Sequence, residues 1–332
     1  RGAGMPDPAR VLIAVGSEPT ERPDVLDVLR CTRSVESVFS EMGIPVEKIY
    51  VGMTDFPRLN RVKREINSKR PLKVFNLFEG FSGDSGKEIH FARMLENLGV
   101  PFTGNPSTTL RRCLDKESAK RILTRNSIRV PRGVFLRDLS GKPWSGLEFP
   151  LFIKPCFEDG SVGIKRDCLV REKQGLEEIL NEKLEEFPRG IMLEEFIEGR
   201  DFNVGFLGAP PYEVLGVSVI DYSRHASSPP FLHYDSKWDP TCEEYNEITP
   251  LLEEGISILL RDSLVDMARR AGEALGCRGY FRVDLRERKG LPYVLDVNPN
   301  PDINEDSGFA RQGRSRGYSY PEVVERILAY AC

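Results

Sequence analysis

The alternation of apolar and polar positions divides the chain into blocks of different period. Val11–Val15 is a continuous apolar run of strand length, and Val46–Val51 and Leu72–Phe78 are two more. Val25–Met42 carries apolar residues at helical spacing, Val28, Val35 and Phe39 among them, and Ile89–Leu98 does the same up to Gly99. Strand and helix alternating over the first hundred residues predict an open α/β sheet. Asn105–Cys113 reads as a connector and Asp115–Thr124 as a capped helix. Pro150–Pro155, Ile191–Ile197, Phe202–Leu207 and Tyr212–Ile220 read as strands, with one amphipathic helix, Gly175–Leu184, among them. Strands crowded together in this way predict antiparallel pairing, so the class shifts from α/β to α+β along the chain. Tyr222–Asn246, which contains Ser227-Ser228-Pro229-Pro230, is a long irregular stretch of the kind that is usually functional or disordered. Ile258–Leu275 reads as a helix stopped by Gly276. The blocks group into three units, 1–108, 109–190 and 191–332.

Two late segments, Tyr280–Leu285 and Tyr293–Asn298, alternate as the arms of a hairpin. A one-residue slip would swap their faces, so parity tests the register. A two-residue loop Lys289-Gly290 sets Asp284 opposite Leu295 and puts charge on the apolar face. A three-residue loop Arg288-Lys289-Gly290 sets Asp284 opposite Val294 and Arg282 opposite Asp296, and the apolar sets then share one face. This register predicts Asp284 and Asp296 as diagonal neighbours about 7–8 Å apart at Cα, with Asn298 further along. Three such oxygen donors suit a hard cation such as Mg²⁺; a solvated, charge-neutralised strand face is the alternative.

Composition narrows the chemistry. Lys+Arg 47 against Asp+Glu 51 leaves a net charge of −4, without the basic excess that nucleic-acid binding needs. No apolar run approaches the ~20 residues of a membrane span, and Val11–Val15 is too short for a signal segment. Arg1–Gly4, ahead of Met5, read as appended residues. Seven cysteines without a CxxC pair predict reduced thiols and a cytoplasmic protein. The three histidines, His90, His225 and His233, stand at no metal-motif spacing, which argues against a zinc hydrolase and leaves few candidates for a His-based triad. Lys154, inside the apolar strand Leu151–Pro155, must lead its ammonium to an anion or to solvent. The turn Gly160-Ser161-Val162-Gly163 can point backbone N–H groups at phosphate, yet it fits neither GxxxxGK[ST] nor GxGxxG and also reads as a plain turn.

Taken together and in order, these motifs resemble the ATP-grasp superfamily, in its D-alanine–D-alanine ligase-like branch. Asn76–Gly86 is similar to N-x-x-x-G-x-x-G-E-D-G with its acidic pair altered, and Val100–Gly104 to I/L-P-Y-T-G. Asp115-Lys116, Phe152–Pro155, Gly160–Ile164 and Arg282-Val283-Asp284 match D-K, V-K-P, G-S-S-x-G-V and R-V-D. Glu194–Asp201 resembles the adenine hinge, Tyr234–Trp238 a shortened Y-D-x-x-x-K-Y, and Asp296-Val297-Asn298 an E-x-N with a shorter acid.

The resemblance implies an ATP-grasp fold preceded by an open α/β domain, and an enzyme that joins a carboxylate to an amine through an acyl phosphate. A carboxylate kinase that forms no amide and a non-catalytic nucleotide-binding regulator are the alternatives. It implies that Lys116, Lys154 and the Gly160–Gly163 loop with Ser161 hold phosphates. Glu194, Glu195 and Ile197 would hold adenine, Asp201 the ribose, and Lys237 the γ-phosphate. Asp284, Asp296 and Asn298 would hold two Mg²⁺, with Mn²⁺ as a substitute, and Arg282 would stabilise developing charge. Glu79, Trp238, Asp302 and Ser307 fall at substrate positions, and Glu18 or Glu21 at the first substrate's ammonium, with Glu21-Arg22 echoing the branch's E-R pair. The partners are small carboxylate and amine substrates, and the branch implies a homodimer. Trp238 in place of tyrosine and Asp302 in place of glycine predict a substrate pair other than two D-alanines.

Overall fold

The computed structural model describes residues 11–332 except 82, 223–228, 240, 249 and 254. Arg1–Gly4, His225 and Ser227-Ser228 therefore lie outside the described residues. In chain order the first unit comprises β1 (Val11–Ser17), α1 (Pro23–Glu41), β2 (Val46–Gly52), α2 (Asn60–Lys69), β3 (Lys73–Leu77) and α3 (Gly86–Leu98). The strands form a parallel sheet in the order β2-β1-β3, as the strand–helix alternation predicts. Its middle strand is buried throughout Val11–Val15, which explains the unbroken apolar run.

Two helices, α4 (Ser107–Leu114) and α5 (Lys116–Arg125), lead into an antiparallel sheet of β4 (Gly133–Leu136), β5 (Leu151–Pro155), β6 (Leu169–Val170) and β7 (Ile191–Glu195), with α6 (Leu176–Glu186) packed on it. The segment read as a connector at Asn105–Cys113 is thus largely helical. Its Asn-Pro start imitates a turn, but Glu96 satisfies the Ser107 N–H and hydroxyl at 2.7 and 2.8 Å, and Leu110, Cys113 and Leu114 are buried. Asp115 caps α5 by accepting from the Ser118 N–H at 3.0 Å. Strand β7, assigned by the division at 190/191 to the third unit, pairs with β4 and β5, so sheet membership changes between residues 195 and 201.

The remaining strands are β8 (Asp201–Gly208), β9 (Glu213–Ile220), β10 (Leu251–Leu252), β11 (Gly279–Arg288) and β12 (Leu291–Pro299), in the antiparallel order β10-β9-β8-β11-β12. The irregular stretch holds two single-turn helices, α7 (Tyr234–Trp238) and α8 (Glu243–Glu247). Helix α9 (Ile258–Leu275) ends at Gly276, whose φ of 79° suits glycine. It covers one face of the five-stranded sheet. Helices α10 (Gly308–Ser315) and α11 (Tyr320–Ala329) turn back to the first unit: Phe309, Val323, Val324 and Ile327 share a core with Val11, Ile13, Phe39 and Phe75. Among the described residues no helix is long and apolar enough to cross a membrane.

The hairpin corrects the predicted register. Its turn is the two-residue Lys289-Gly290, with Arg288 opposite Leu291, not the three-residue loop. Parity is restored by a bulge: Leu285 pairs with Val294 and Asp284 with Asp296, leaving Leu295 as the extra residue. Phe281, Val283, Leu285, Val294 and Val297 still share the buried face. Asp284 and Asp296 are direct cross-strand partners rather than diagonal neighbours, and Arg282 faces Asn298.

Candidate active site

The hairpin's polar face lies opposite the central sheet, and the cleft between them gathers most of the motif residues. Lys154 on β5 is 6% exposed; its ammonium lies 3.3 Å from Glu194 Oε2, 3.4 Å from Asp296 Oδ2 and 3.1 Å from the Leu295 carbonyl. That carbonyl belongs to the bulged residue, which leaves the strand ladder and accepts from Lys154. Lys116, at the start of α5, approaches Asp296 Oδ1 at 3.7 Å, Asp159 at 3.3 Å and the Glu158 carbonyl at 2.8 Å. Burial works against the charge of both lysines, but Asp296 together with Glu194 at Lys154 and with Asp159 at Lys116 outweighs it, and both pKa values lie above the ordinary value. Burial likewise opposes ionisation of Asp296, and Lys116 and Lys154 hold its pKa below the usual carboxylate range.

Lys120 completes the cationic wall and was not among the sequence candidates. It stands four residues after Lys116, hence on the same face of α5, and this spacing was the available signal. Its ammonium is 2.7 Å from Glu194 Oε1 and 2.6 Å from the Pro131 carbonyl. Three lysines thus surround Glu194 and Asp296, a positive environment suited to a polyphosphate accompanied by a divalent cation.

Asp284 is held by four donors. Arg282 Nε and Nη2 donate at 2.7 and 3.0 Å, Asn203 Nδ2 at 2.7 Å and Asn298 Nδ2 at 2.8 Å. Asn203, on β8 directly across from Asp284, is another residue that sequence reading missed. Because Asn298 uses its amide nitrogen here, its Oδ1 is left for another partner, which fits a cation ligand.

The phosphate-type loop has consecutive left-handed residues, Gly160 at φ 62° and Ser161 at φ 65°, followed by Gly163 at φ 76°. Ser161 in this conformation is strained. A Cβ on Gly163 would meet the Phe187 ring at 2.2 Å and Pro155 Cγ at 2.8 Å, so only glycine fits. The segment carrying Lys237 is docked on this loop. Trp238 Nε1 donates to the Gly160 carbonyl at 3.1 Å, and the Tyr234 N–H to the Ile164 carbonyl at 3.0 Å. Arg166, in the short 3₁₀ turn after the loop, pairs with Glu244 of α8. Lys237 is partly buried, and its pKa is lowered by desolvation first and by Arg282 second.

The hinge differs from expectation at Glu195. Successive strand residues point to opposite faces, so while Glu194 enters the cleft, Glu195 turns away to Arg132 at 3.1 Å and the Glu148 N–H at 3.0 Å. Its carboxylate belongs to the scaffold and not to the cleft. Asp201 is engaged by Arg286 Nε and Nη2 and by the Tyr222 hydroxyl at 2.6 Å. Arg286 is 3% exposed, donates to the Ile197 carbonyl at 3.1 Å and stacks on Phe196, 4.5 Å from its centroid. It ties both ends of the hinge, and no sequence signal singled it out.

The remaining candidates lie around the first unit and the segment after the hairpin. Glu21 and Glu79 are exposed, and Glu18 is partly buried. Ser307 is 7% exposed and caps α10, its oxygen accepting from the Ala310 N–H at 3.1 Å, which leaves its O–H to donate elsewhere. Asp302 does not simply project into a pocket: it closes a turn, accepting from the Asn304 N–H at 2.8 Å and side-chain amide at 2.9 Å.

A largely buried lysine wall, a glycine loop and a carboxylate–amide set between two antiparallel sheets form a cleft whose charge suits a polyphosphate with a divalent cation. The D-ala D-ala ligase C-terminus family matches residues 136–329, and the chain belongs to the D-Ala–D-Ala ligase family. An uncharacterised protein of Sinorhizobium fredii is 30% identical over 259 residues, 78% of this chain and 74% of that protein. The D-alanine–D-alanine ligase of Carboxydothermus hydrogenoformans is 29% identical over 282 residues, 81% of this chain and 86% of that enzyme. Among solved structures, the ATP complex of D-alanine–D-alanine ligase from Bacillus anthracis has a TM-score of 0.75 at 19% identity and covers 97% of each chain. VanG D-Ala:D-Ser ligase from Enterococcus faecalis gives 0.75 at 19%, with 98% of this chain and 99% of that one. These structures share the ATP-grasp fold with this chain, which is an ATP-dependent ligase forming C–N bonds and using a divalent metal. Membership favours the ligase over a carboxylate kinase or a non-catalytic regulator.

Proposed function

We propose that the chain ligates the carboxylate of one amino acid to the amine of another, with a pair other than two D-alanines. The convergence of Lys116, Lys154 and Asp296 in one cluster carries the reading. ATP, bound with Mg²⁺, supplies the phosphoryl group that activates the first carboxylate. Lys116, Lys154 and the backbone of Gly160–Gly163, with Ser161, would orient its phosphate oxygens, and Lys237 would approach from the docked segment. Glu194 and the backbone at Ile197 would receive the base, and Asp201 the ribose while keeping its bonds to Arg286. Asp284, Asp296 and the Asn298 Oδ1 would hold two Mg²⁺, for which Mn²⁺ would substitute. Arg282, anchored on Asp284, would stabilise the oxyanion formed when the amine attacks. The docked segment would exclude water from the acyl phosphate.

Glu21 or Glu18, with Glu79, would meet the first substrate's ammonium, and Ser307 the second substrate's carboxylate. Trp238 and Asp302 support a pair other than two D-alanines: the indole braces the glycine loop, and the Asp302 carboxylate adds negative charge near Arg282. A ligase named for D-Ala and D-Ser shares this fold, so a changed second substrate is compatible with the scaffold. The reading includes a homodimer and a reducing compartment; the seven cysteines form no disulfide. ADP release is expected only when two amino acids are present together, with a product mass equal to their sum less one water. Efficient synthesis of D-alanyl-D-alanine at millimolar substrate would overturn the substrate assignment.

A further inference from the structure

The segment docked on the glycine loop gathers three side chains that are spread over twelve residues of sequence. His233 caps α7, Cys242 precedes α8, and Glu244 lies in the first turn of α8. One ligand atom from each lies within 4.8 Å of the others. Cys242 Sγ is 2.9 Å from Glu244 Oε2, and His233 Nε2 is 3.9 Å from Glu244 Oε1. His233 is 2% exposed and Glu244 4%. Among the described residues the buried Nε2 has no hydrogen-bond partner, since 3.9 Å is too long for one. A buried ring nitrogen left in this way, aimed at a carboxylate and a thiol, is costly unless something else completes it.

We propose that His233, Cys242 and Glu244 form a binding site for one Zn²⁺, separate from the ATP cleft. Imidazole, thiolate and carboxylate are the donors zinc takes, and three protein ligands leave a fourth tetrahedral position for water. The thiolate disfavours Mg²⁺ and Ca²⁺, which take oxygen donors. Zinc bonds of ~2.0–2.3 Å place donors roughly 3.3–3.8 Å apart, so the three atoms need close by only a small distance. Burial holds the imidazole pKa below its ordinary value and favours the neutral, ligating ring. On binding, the Cys242 thiol releases its proton to solvent. The ring proton moves to Nδ1, which gives up the weak 3.4 Å contact from the Ser236 N–H. Glu244 shifts from Arg166 toward the ion. The consequence is mechanical: zinc staples the start of α7 to α8 and fixes the short stretch that carries Lys237 and Trp238.

The test is Co²⁺ and Zn²⁺ titration of the chelator-stripped full chain in excess Mg²⁺, with no nucleotide. Wild-type protein is expected to bind about one equivalent of Co²⁺ with a thiolate-to-cobalt charge-transfer band that one equivalent of Zn²⁺ abolishes. Cobalt held by the oxygen donors of the ATP cleft gives no such band. Cys242→Ser is expected to lose the band and Cys332→Ser, an exposed thiol elsewhere, to keep it. His233→Gln is expected to weaken Zn²⁺ binding at least tenfold, and Zn²⁺ to slow amide exchange across residues 233–239 in wild type only. Absence of the band in wild type, or its persistence in Cys242→Ser, would overturn the proposal.

Discussion

Asp296 neutralises two buried ammoniums at once, Lys154 at 3.4 Å and Lys116 at 3.7 Å. Asp296→Ala removes a proposed metal ligand and the acid shared by both lysines, leaving Lys154 with Glu194 and Lys116 with Asp159, so ADP release is expected to fall at least ~100-fold. Near-normal turnover at limiting Mg²⁺, with an unchanged circular dichroism spectrum, would contradict the assignment. Glu194 supports a pH prediction. Burial opposes its ionisation, but Lys120 and Lys154 outweigh burial and hold its pKa below the ordinary ~4.3. A depressed carboxylate contributes stability that is complete above the unfolded-state pKa and is lost as pH falls through the folded-state pKa. Lys120→Met raises that folded-state value, so the midpoint of acid unfolding is expected to move to higher pH; an unmoved midpoint would discount the pair. Lys154 and Asp296 were legible as motif residues. Arg286 was not, because its role arises from the packing of Phe196, Tyr222 and Asp201 around it, none of them its neighbours in sequence.

The strand and helix pattern of the first unit was readable because buried parallel strands are apolar throughout. Helix α4 was not: Leu110, Cys113 and Leu114 stand at the helical spacing i, i+3 and i+4, but the segment is only eight residues long and its Asn-Pro start imitates a turn. The hairpin shows where parity alone misleads. Counting residues finds a loop length that keeps the faces consistent, but a bulge within the strand does the same work, and the structure uses the bulge at Leu295. Deleting Leu295 discriminates between the two. In the observed register the deletion leaves Asp284 opposite Asp296 and keeps Val294 and Val297 on the core face, while removing the carbonyl that receives Lys154. Retained cooperative unfolding with a several-fold higher KM for ATP is expected. In the three-residue-loop register the deletion would turn one arm over and unfold the sheet.

The docked segment, which follows β9 in the chain, packs on the stretch after β5, with Trp238 and Tyr234 on the glycine loop and Arg166 paired with Glu244. The chain has two tryptophans, and Trp144 lies in the core of the central sheet. In Trp144→Phe, Trp238 is the sole indole reporter of docking. Adding a non-hydrolysable ATP analogue with amino-acid substrate is expected to shift its emission and to slow quenching by iodide; identical spectra and quenching would remove this segment from the catalytic cycle.

The seating of α10 and α11 on the first unit sets a timetable for biosynthesis. One face of β1 and β3 is covered by Phe309, Val323, Val324 and Ile327, residues translated long after the strands themselves. At ~5–20 residues per second, the interval between Leu77 and Phe309 lasts on the order of tens of seconds. During that time this face of the nascent first unit is covered only in part, by Cys31, Val35, Val38 and Phe39 of α1. The strands of this unit are thus made first, and part of the surface that stabilises them arrives last.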